Sequence, residues 1–278
     1  MRLMIGALLP LALFAQPSFD YDSRLKLDVR PADVEVRHIT FQNLAGGRTK
    51  ALLVLPPGQG KAAAALYVHW YEPENVNSNY TQYLNEAIAL GRRGMISLLI
   101  ETPWTEPEWF MKQRKREADY EMSVGIVKEL RRALDVLMAQ PRVDPTRVAL
   151  VGHDFGAMYG AAVAAADPRV KAAALQAGTS TFSHWFLYGP PMEAAKKEAF
   201  IAQLKPIDPT TQIAKAAGKP VLLQFGDKDF HVPKARAEEF IAATQEPKKV
   251  LWYKAEHGLV YEASLDRQKW LAEQLKLN

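Results

Sequence analysis

The residues best suited to chemistry lie in the stretch VALVGHDFGAMYGAA, Val148 to Ala162. Within it, Gly152-His153-Asp154-Phe155-Gly156 has the form of a nucleophile elbow, a sharp strand-to-helix turn usually written G-x-S-x-G, but aspartate stands where serine is expected. A serine must lose a proton before it attacks. A carboxylate, with an unperturbed pKa of about 3.9, is already ionised at neutral pH. It can attack a saturated carbon directly, displace halide or open an epoxide, and leave an alkyl ester on Asp154. The helix that begins after the turn points its partial positive charge at this position and favours the anion. The competing reading is that Asp154 merely caps that helix, as aspartates often do.

Two groups downstream could complete a site. Phe225-Gly226-Asp227-Lys228-Asp229-Phe230-His231-Val232-Pro233 reads as a strand, a glycine turn carrying an acid, and Val-Pro opening a helix. Asp229 is the expected orienter of a catalytic histidine, with Asp227 as its local competitor. His257, in Lys254-Ala255-Glu256-His257-Gly258, is the expected base. The other histidines fit less well: His38 falls inside a strand, His153 precedes the elbow residue, and His184 and His231 read as surface or pocket-rim residues.

These residues need a scaffold. Val34–Gln42 and Thr49–Leu55 read as strands of a hairpin, the first by its alternation of apolar and polar residues. Ala63–His69, Met95–Ile100, Arg147–Gly152, Val170–Gln176, Val221–Phe225 and Val250–Tyr253 read as further strands, several of them continuous apolar runs suited to burial on both faces. Helices are predicted over Tyr80–Arg93, Ala118–Gln140, Phe155–Ala166, Lys234–Ala243 and Leu265–Lys276. Alternating strands and helices after an antiparallel start predict an α/β fold: one mostly parallel sheet of about eight strands with helices on both faces. The elbow then closes the fifth predicted strand. The aromatic-rich segment 178–206 is too short for a domain and reads as a lid-like segment of a single domain spanning residues 16–278.

With the elbow, the Gly226-x-x-Asp229-x-x-Val232-Pro233 turn and the terminal His257-Gly258 in nucleophile, acid, histidine order, the chain resembles the α/β-hydrolase superfamily from about Ala63 onward. The resemblance implies an oxyanion hole made by the backbone N–H of Phe155 and by a second N–H, of Tyr71 or Trp70, from the loop His69-Trp70-Tyr71-Glu72-Pro73. His-Gly is usual in that loop, and Trp70 departs from it. The lack of a large cap resembles the dienelactone hydrolase branch, which cleaves esters and lactones with Cys or Ser at the elbow. The Gly-His-Asp-x-Gly elbow resembles dehalogenases and epoxide hydrolases, which use Asp. Phe155 departs from the Trp that haloalkane dehalogenases place after the nucleophile. Trp104, Trp185 and Tyr188 are expected to line the substrate pocket.

Composition narrows the classes. The 278 residues are 48% hydrophobic and 24% charged with a net charge of +4, which is ordinary globular composition. There is no cysteine, so disulfides and thiol chemistry are excluded, and the six dispersed histidines show no metal-ligand spacing. Lys112-Gln113-Arg114-Lys115-Arg116 is a short basic run without interleaved aromatics and predicts a solvated helix start rather than nucleic-acid binding. Residues 1–15, with Arg2 and an apolar run from Leu3 to Phe14, read as a signal peptide, predicting export to the periplasm or outside and no membrane association after cleavage. No cofactor is called for; the expected partner is a small, partly apolar substrate. The favoured expectation is a hydrolase with Asp154 as nucleophile, His257 and Asp229, acting on a C–halogen bond or an epoxide. Ester or lactone hydrolysis is the alternative, and a non-catalytic binding module on the same scaffold is the third reading.

Overall fold

The computed structural model describes residues 19–21, 33–73 and 80–278; the expected signal peptide lies outside them. Nine strands form one sheet: β1 (Phe19–Tyr21), β2 (Glu35–Gln42), β3 (Arg48–Leu55), β4 (Ala62–Val68), β5 (Met95–Ile100), β6 (Val143–His153), β7 (Ala172–Gln176), β8 (Val221–Gly226) and β9 (Lys248–Tyr253), in the order β1-β2-β3-β5-β4-β6-β7-β8-β9. The pairs from β1 to β5 are antiparallel and the remainder parallel. All eight expected strands are present; β1 is the addition, too short to show a period.

The helices are α1 (Leu84–Arg92), α2 (Asp119–Met138), α3 (Phe155–Ala166), α4 (Phe182–Phe186), α5 (Ala194–Leu204), α6 (Pro209–Ile213), α7 (Lys234–Ala243) and α8 (Tyr261–Leu275). Two starts differ from the sequence expectation. Tyr80 to Tyr83 carry the apolar period ahead of α1 but lie in a turn, where buried Tyr83 packs its ring 5.0 Å from that of Tyr67. Conversely, α8 begins four residues before Leu265 because Tyr261 is exposed and gives no apolar signal.

Alternation along the central strands divides the core. Ala62, Ala64, Leu66 and Val68 of β4 face the cluster shared with α2 and α3. Ala63, Ala65 and Tyr67 face the cluster shared with α1 and α8. A strand buried on both faces needs apolar residues at every position, which is why these runs show no polar alternation. The larger of these side chains, Leu66 and Val68, contribute roughly 1.5–3 kcal/mol each by leaving water, and the alanines less.

The basic run is not a solvated helix start. Trp109–Gln113 forms a π-helical turn, and Arg114 after it is buried against the carboxylate of Asp119 at 2.5 Å, its guanidinium lying over the rings of Phe110 and Phe186.

Candidate active site

The strand order reverses at β4, which lies between β5 and β6. Ligand sites of open α/β sheets form at such switch points, beyond the carboxyl ends of the strands. The loop after β4 and the elbow after β6 are therefore neighbours. The approach is close: a Cβ on Gly156 would stand 2.1 Å from the carbonyl oxygen of Val68, and one on Gly152 would stand 2.2 Å from that of Gly156. Only glycine fits either place. Asp154 between them has φ 54° and ψ −117°, a strained conformation that lifts its side chain off the sheet edge.

Asp154 does not cap α3; its side chain makes no capping hydrogen bond. Its Oδ2 accepts the backbone N–H of Tyr71 at 3.2 Å, and the N–H of Phe155 also favours the anion. Of the two candidates in the loop after β4, Tyr71 is the one whose N–H reaches Asp154. The N–H of Trp70 is turned to Oε1 of Gln82 at 3.0 Å. The other carboxylate oxygen, Oδ1, is buried and has no hydrogen-bond partner. Burial pushes Asp154 up to about 6, against the opposing pull of His257 and the two N–H groups. Desolvation thus outweighs the helix-end charge, and the carboxylate is still mostly ionised at neutral pH.

Asp229 and His257 come together from the ends of β8 and β9. A Cβ on Gly226 would stand 2.3 Å from the carbonyl oxygen of Ala255, so the two loops can meet only over glycine. Nδ1 of His257 lies 2.8 Å from Oδ2 of Asp229, whose Oδ1 is fixed by the N–H groups of His231 and Val232. Asp227, the competitor, is exposed. Nε2 of His257 faces Oδ1 of Asp154 at 3.8 Å, beyond hydrogen-bond length. Burial pushes His257 down, but the Asp229 hydrogen bond and the charges of Asp154, Asp229 and Glu72 outweigh it, and its pKa is raised.

Two supports were not visible in the sequence. His153 is fully buried and bridges Gln82 and the chain beside the base: its Nδ1 meets Nε2 of Gln82 at 2.6 Å and its Nε2 meets the carbonyl oxygen of His257 at 2.9 Å. Burial and the neighbouring His257 hold His153 neutral, which lets one ring nitrogen accept and the other donate. His69 anchors the loop that carries the Tyr71 N–H, with its Nε2 between the hydroxyls of Thr102 and Thr105 at 2.8 and 2.9 Å. No local pattern marks these contacts, because their partners are distant in the chain.

A cavity of about 1060 Å³ opens over Asp154 and His257. Trp185 and Tyr188 line it, with Trp185 stacked on His231. Trp104 does not. It is fully buried among Trp109, Phe155 and Tyr159 and donates its indole N–H to the carbonyl oxygen of His69. It is core because the turn after β5 points it beneath the loop rather than over it. Trp70 lines the cavity with its ring, stacked on His153 and His257. Of the lid-like segment only the part around α4 reaches the site, and Pro107 to Lys112 form an unanticipated opposite wall. That wall is tied down by the Tyr71 hydroxyl, which donates to the carbonyl oxygen of Pro107 at 2.6 Å. Among the described residues no cluster of three or more His, Asp or Glu could hold a metal.

This fold and site define a hydrolase of the α/β-hydrolase class. The profile of the dienelactone hydrolase family matches residues 108–274, more than half of the chain, and the chain belongs to that family. No protein of curated function matches it. Among solved structures it is similar to the esterase domain of a Rhodothermus marinus protein, at 22% identity and a TM-score of 0.62 over 87% of this chain and 99% of that one. It is also similar to an acetyl xylan esterase from Paenibacillus sp. R4, at 16% identity and a TM-score of 0.70 over 93% and 89%. Acetyl xylan esterase 1 from Thermoanaerobacterium sp. JW/SL YS485 gives 17% and 0.68 over 93% and 88%. At these identities the likeness is one of fold.

Proposed function

We propose that this hydrolase cleaves a small, partly apolar carboxylic ester or lactone, with Asp154 as covalent nucleophile and His257, oriented by Asp229, as the base of the second step. The substrate class is supported by membership of the dienelactone hydrolase family and by esterases among the similar folds. The observation that carries the mechanism is the division of labour within one carboxylate: Oδ2 is seated at the Tyr71 N–H, while Oδ1 is buried, unpartnered and beside His257.

Oδ1 attacks the acyl carbon, the bond to the departing oxygen breaks, and an acyl–Asp154 anhydride forms. Water then loses a proton to His257 and adds to Cγ of Asp154. Negative charge develops on Oδ2, which already accepts the N–H of Tyr71. Collapse releases the carboxylate product and restores Asp154. The demanding step is the first. A carboxylate is a weaker base than an alkoxide, so the tetrahedral intermediate expels Asp154 again unless the departing oxygen is stabilised.

Cleavage of a C–halogen bond or an epoxide is the second reading. The same unpartnered Oδ1 favours it, because displacement at saturated carbon has no such return path and gives an alkyl ester on Asp154. One measurement separates them: the intact mass of His257→Gln after incubation with nitrophenyl esters, lactones, haloacids, haloalkanes and epoxides. An acyl adduct on Asp154 is expected. An alkyl adduct would select the second reading. Absence of any adduct while wild type turns over esters would refute covalent attack by Asp154 and leave direct attack by His257-activated water.

A further inference from the structure

We propose that Gln82 and His153 are positioning residues: Gln82 fixes the ring proton of His153 on Nε2, and that N–H holds the main chain of His257 in register with the loop that presents the Tyr71 N–H. This role rests on the proposed action of His257 as base, and holds whether or not Asp154 attacks the substrate. Donor and acceptor character alone places each proton. A backbone N–H can only donate, so the atom 3.0 Å from the Trp70 nitrogen must be the amide oxygen of Gln82. The amide nitrogen of Gln82 then faces Nδ1 of His153 at 2.6 Å. An amide NH2 offers no lone pair, so Nδ1 accepts and carries no proton. The proton of the neutral ring therefore lies on Nε2, which donates to the carbonyl oxygen of His257 at 2.9 Å.

Four segments meet in this chain of bonds. Gln82 stands in the turn before α1, Trp70 in the loop after β4, His153 at the end of β6 and His257 in the loop after β9. The Trp70 indole packs across the group, stacked on the His153 ring with centroids 4.9 Å apart and on the His257 ring at 6.3 Å. Beyond Trp70, Nδ1 of His69 donates to the Trp70 carbonyl oxygen at 2.6 Å. In a trans peptide the carbonyl and the N–H of one unit point in opposite directions, so this bond aims the Tyr71 N–H at Oδ2 of Asp154. The preceding peptide is held at both ends as well, its N–H by Gln82 and its carbonyl, that of His69, by the Trp104 indole. Gln82 thus joins the donor loop to the support of the base.

The arrangement also excludes the His153 cation. A second proton would sit on Nδ1 and point at the Gln82 NH2, bringing two donors together. Burial, the neighbouring His257 and the Arg267 guanidinium act in the same direction and hold the pKa of His153 well below its ordinary value. A neutral ring carries the link without adding a positive charge beside the base, whose ring centroid is 5.3 Å away. The carboxylates of Asp229, Asp154 and Glu72 facing His257 are then left to set its charge, since His231 on the remaining side is also lowered by burial. Anchoring His153 steadies the elbow too. It is the residue before Asp154, whose own N–H donates to the carbonyl oxygen of Gln176 at 2.9 Å, so the strained turn is held on its strand side by both.

The test combines nitrogen-15 NMR of the histidine side chains with kinetics on nitrophenyl acetate, in wild type, Gln82→Met and Gln82→Glu. In wild type, His153 should show a protonated Nε2 and a bare Nδ1 that do not change from pH 5 to pH 8. A bare Nε2, or uptake of a second proton in that range, would overturn the assignment without need of any variant. Methionine nearly matches glutamine in shape but leaves both the Trp70 N–H and Nδ1 of His153 without partners. Its kcat should fall by about 10-fold to 100-fold with KM changed by less than about threefold, since a misplacement near 1 Å costs about 100-fold. Glutamate restores every bond, because the proton it shares with Nδ1 of His153 replaces the one the amide gave. Gln82→Glu should therefore recover most of the lost kcat, with the Nδ1 signal moved toward the protonated position. A side chain that merely fills space would give the opposite order, with the apolar methionine tolerated and the carboxylate not. That order, or wild-type kcat in Gln82→Met, would overturn the positioning role. Should no ester be turned over, the reading of the reaction fails separately, and the ring nitrogens of His257 decide the link. They should shift in Gln82→Met and return in Gln82→Glu, and an unchanged spectrum in both would overturn it.

Discussion

Replacing Asp154 by Asn should make the protein more stable at pH 8 while abolishing covalent chemistry. Asp154 is 2% exposed, and burial lifts its pKa from 3.8 to about 6. The folded state therefore binds the proton more tightly than the unfolded chain. Its contribution to stability is intact below about pH 4 and is lost as pH rises through 6. Above that the ionised group destabilises the fold by roughly 3 kcal/mol, at about 1.4 kcal/mol per pKa unit. Asparagine keeps the shape and can still accept the Tyr71 N–H, and the pKa of about 6 already includes the attraction between the anion and His257. A net gain of roughly 3 kcal/mol is expected, equivalent to about 6–10 °C in Tm for a chain of this size. By pH 5 the wild-type carboxyl is mostly protonated when folded, and the advantage should roughly halve. Thermal unfolding of both proteins at pH 5 and pH 8, followed by circular dichroism, reads the difference directly. A variant less stable at pH 8, or an advantage equal at the two pH values, would show that Asp154 is not held against a desolvation penalty.

Further outcomes follow from other contacts. Gly156→Ala places a methyl 2.1 Å from the Val68 carbonyl oxygen; since backbone must shift, a loss of about 3 kcal/mol or more is expected in urea unfolding, and a loss under 1 kcal/mol would mean that the elbow yields easily. Arg114→Met strands the fully buried Asp119 carboxylate, an expected cost of about 3–5 kcal/mol at pH 8. The cost should fall as pH drops from 8 towards 6, because burial already raises Asp119 to about 6 with Arg114 in place, loss of the cation raises it further, and protonation then removes the unpaired charge; a pH-independent cost would point to lost packing instead. Asp154→Ser frees the Tyr71 and Phe155 N–H groups and presents a hydroxyl near His257. Measurable turnover of nitrophenyl esters is expected, and none in a folded variant would show that base and oxyanion donors are not aligned for serine chemistry.

What the sequence revealed depended on whether the signal was local. The apolar runs at Ala62–Val68 and Met95–Ile100 announce two-sided burial, and the order Asp154, Asp229, His257 announces the three side chains that meet because each residue sits in its own short motif. Asp229 was separable from Asp227 only through burial, which depends on how the loop after β8 folds back. Trp104 was misplaced because an aromatic after a strand can point under the loop or over it, and nothing in the neighbouring residues decides which. The Gln82–His153–Trp70 linkage joins three distant segments and leaves no spacing to read.

The aspartate answers the question that its own position raises. In a serine hydrolase the two backbone donors wait for the substrate's oxygen; here the N–H of Tyr71 already holds an oxygen of Asp154. On the proposed covalent reading, those donors would serve the step in which Asp154 itself becomes the centre under attack, and the first step would lose their stabilisation. On that reading something else must ease departure of the leaving oxygen, and the group facing Oδ1 of Asp154 is the His257 imidazole, also bound to the carboxylate of Asp229. A decayed site has no chemical use for the Asp229–His257 pair, nor for a buried carboxylate kept mostly ionised against desolvation. On the proposed reading, aspartate at the elbow would move the oxyanion donors to the second step, and one fold would run ester hydrolysis with its roles reassigned.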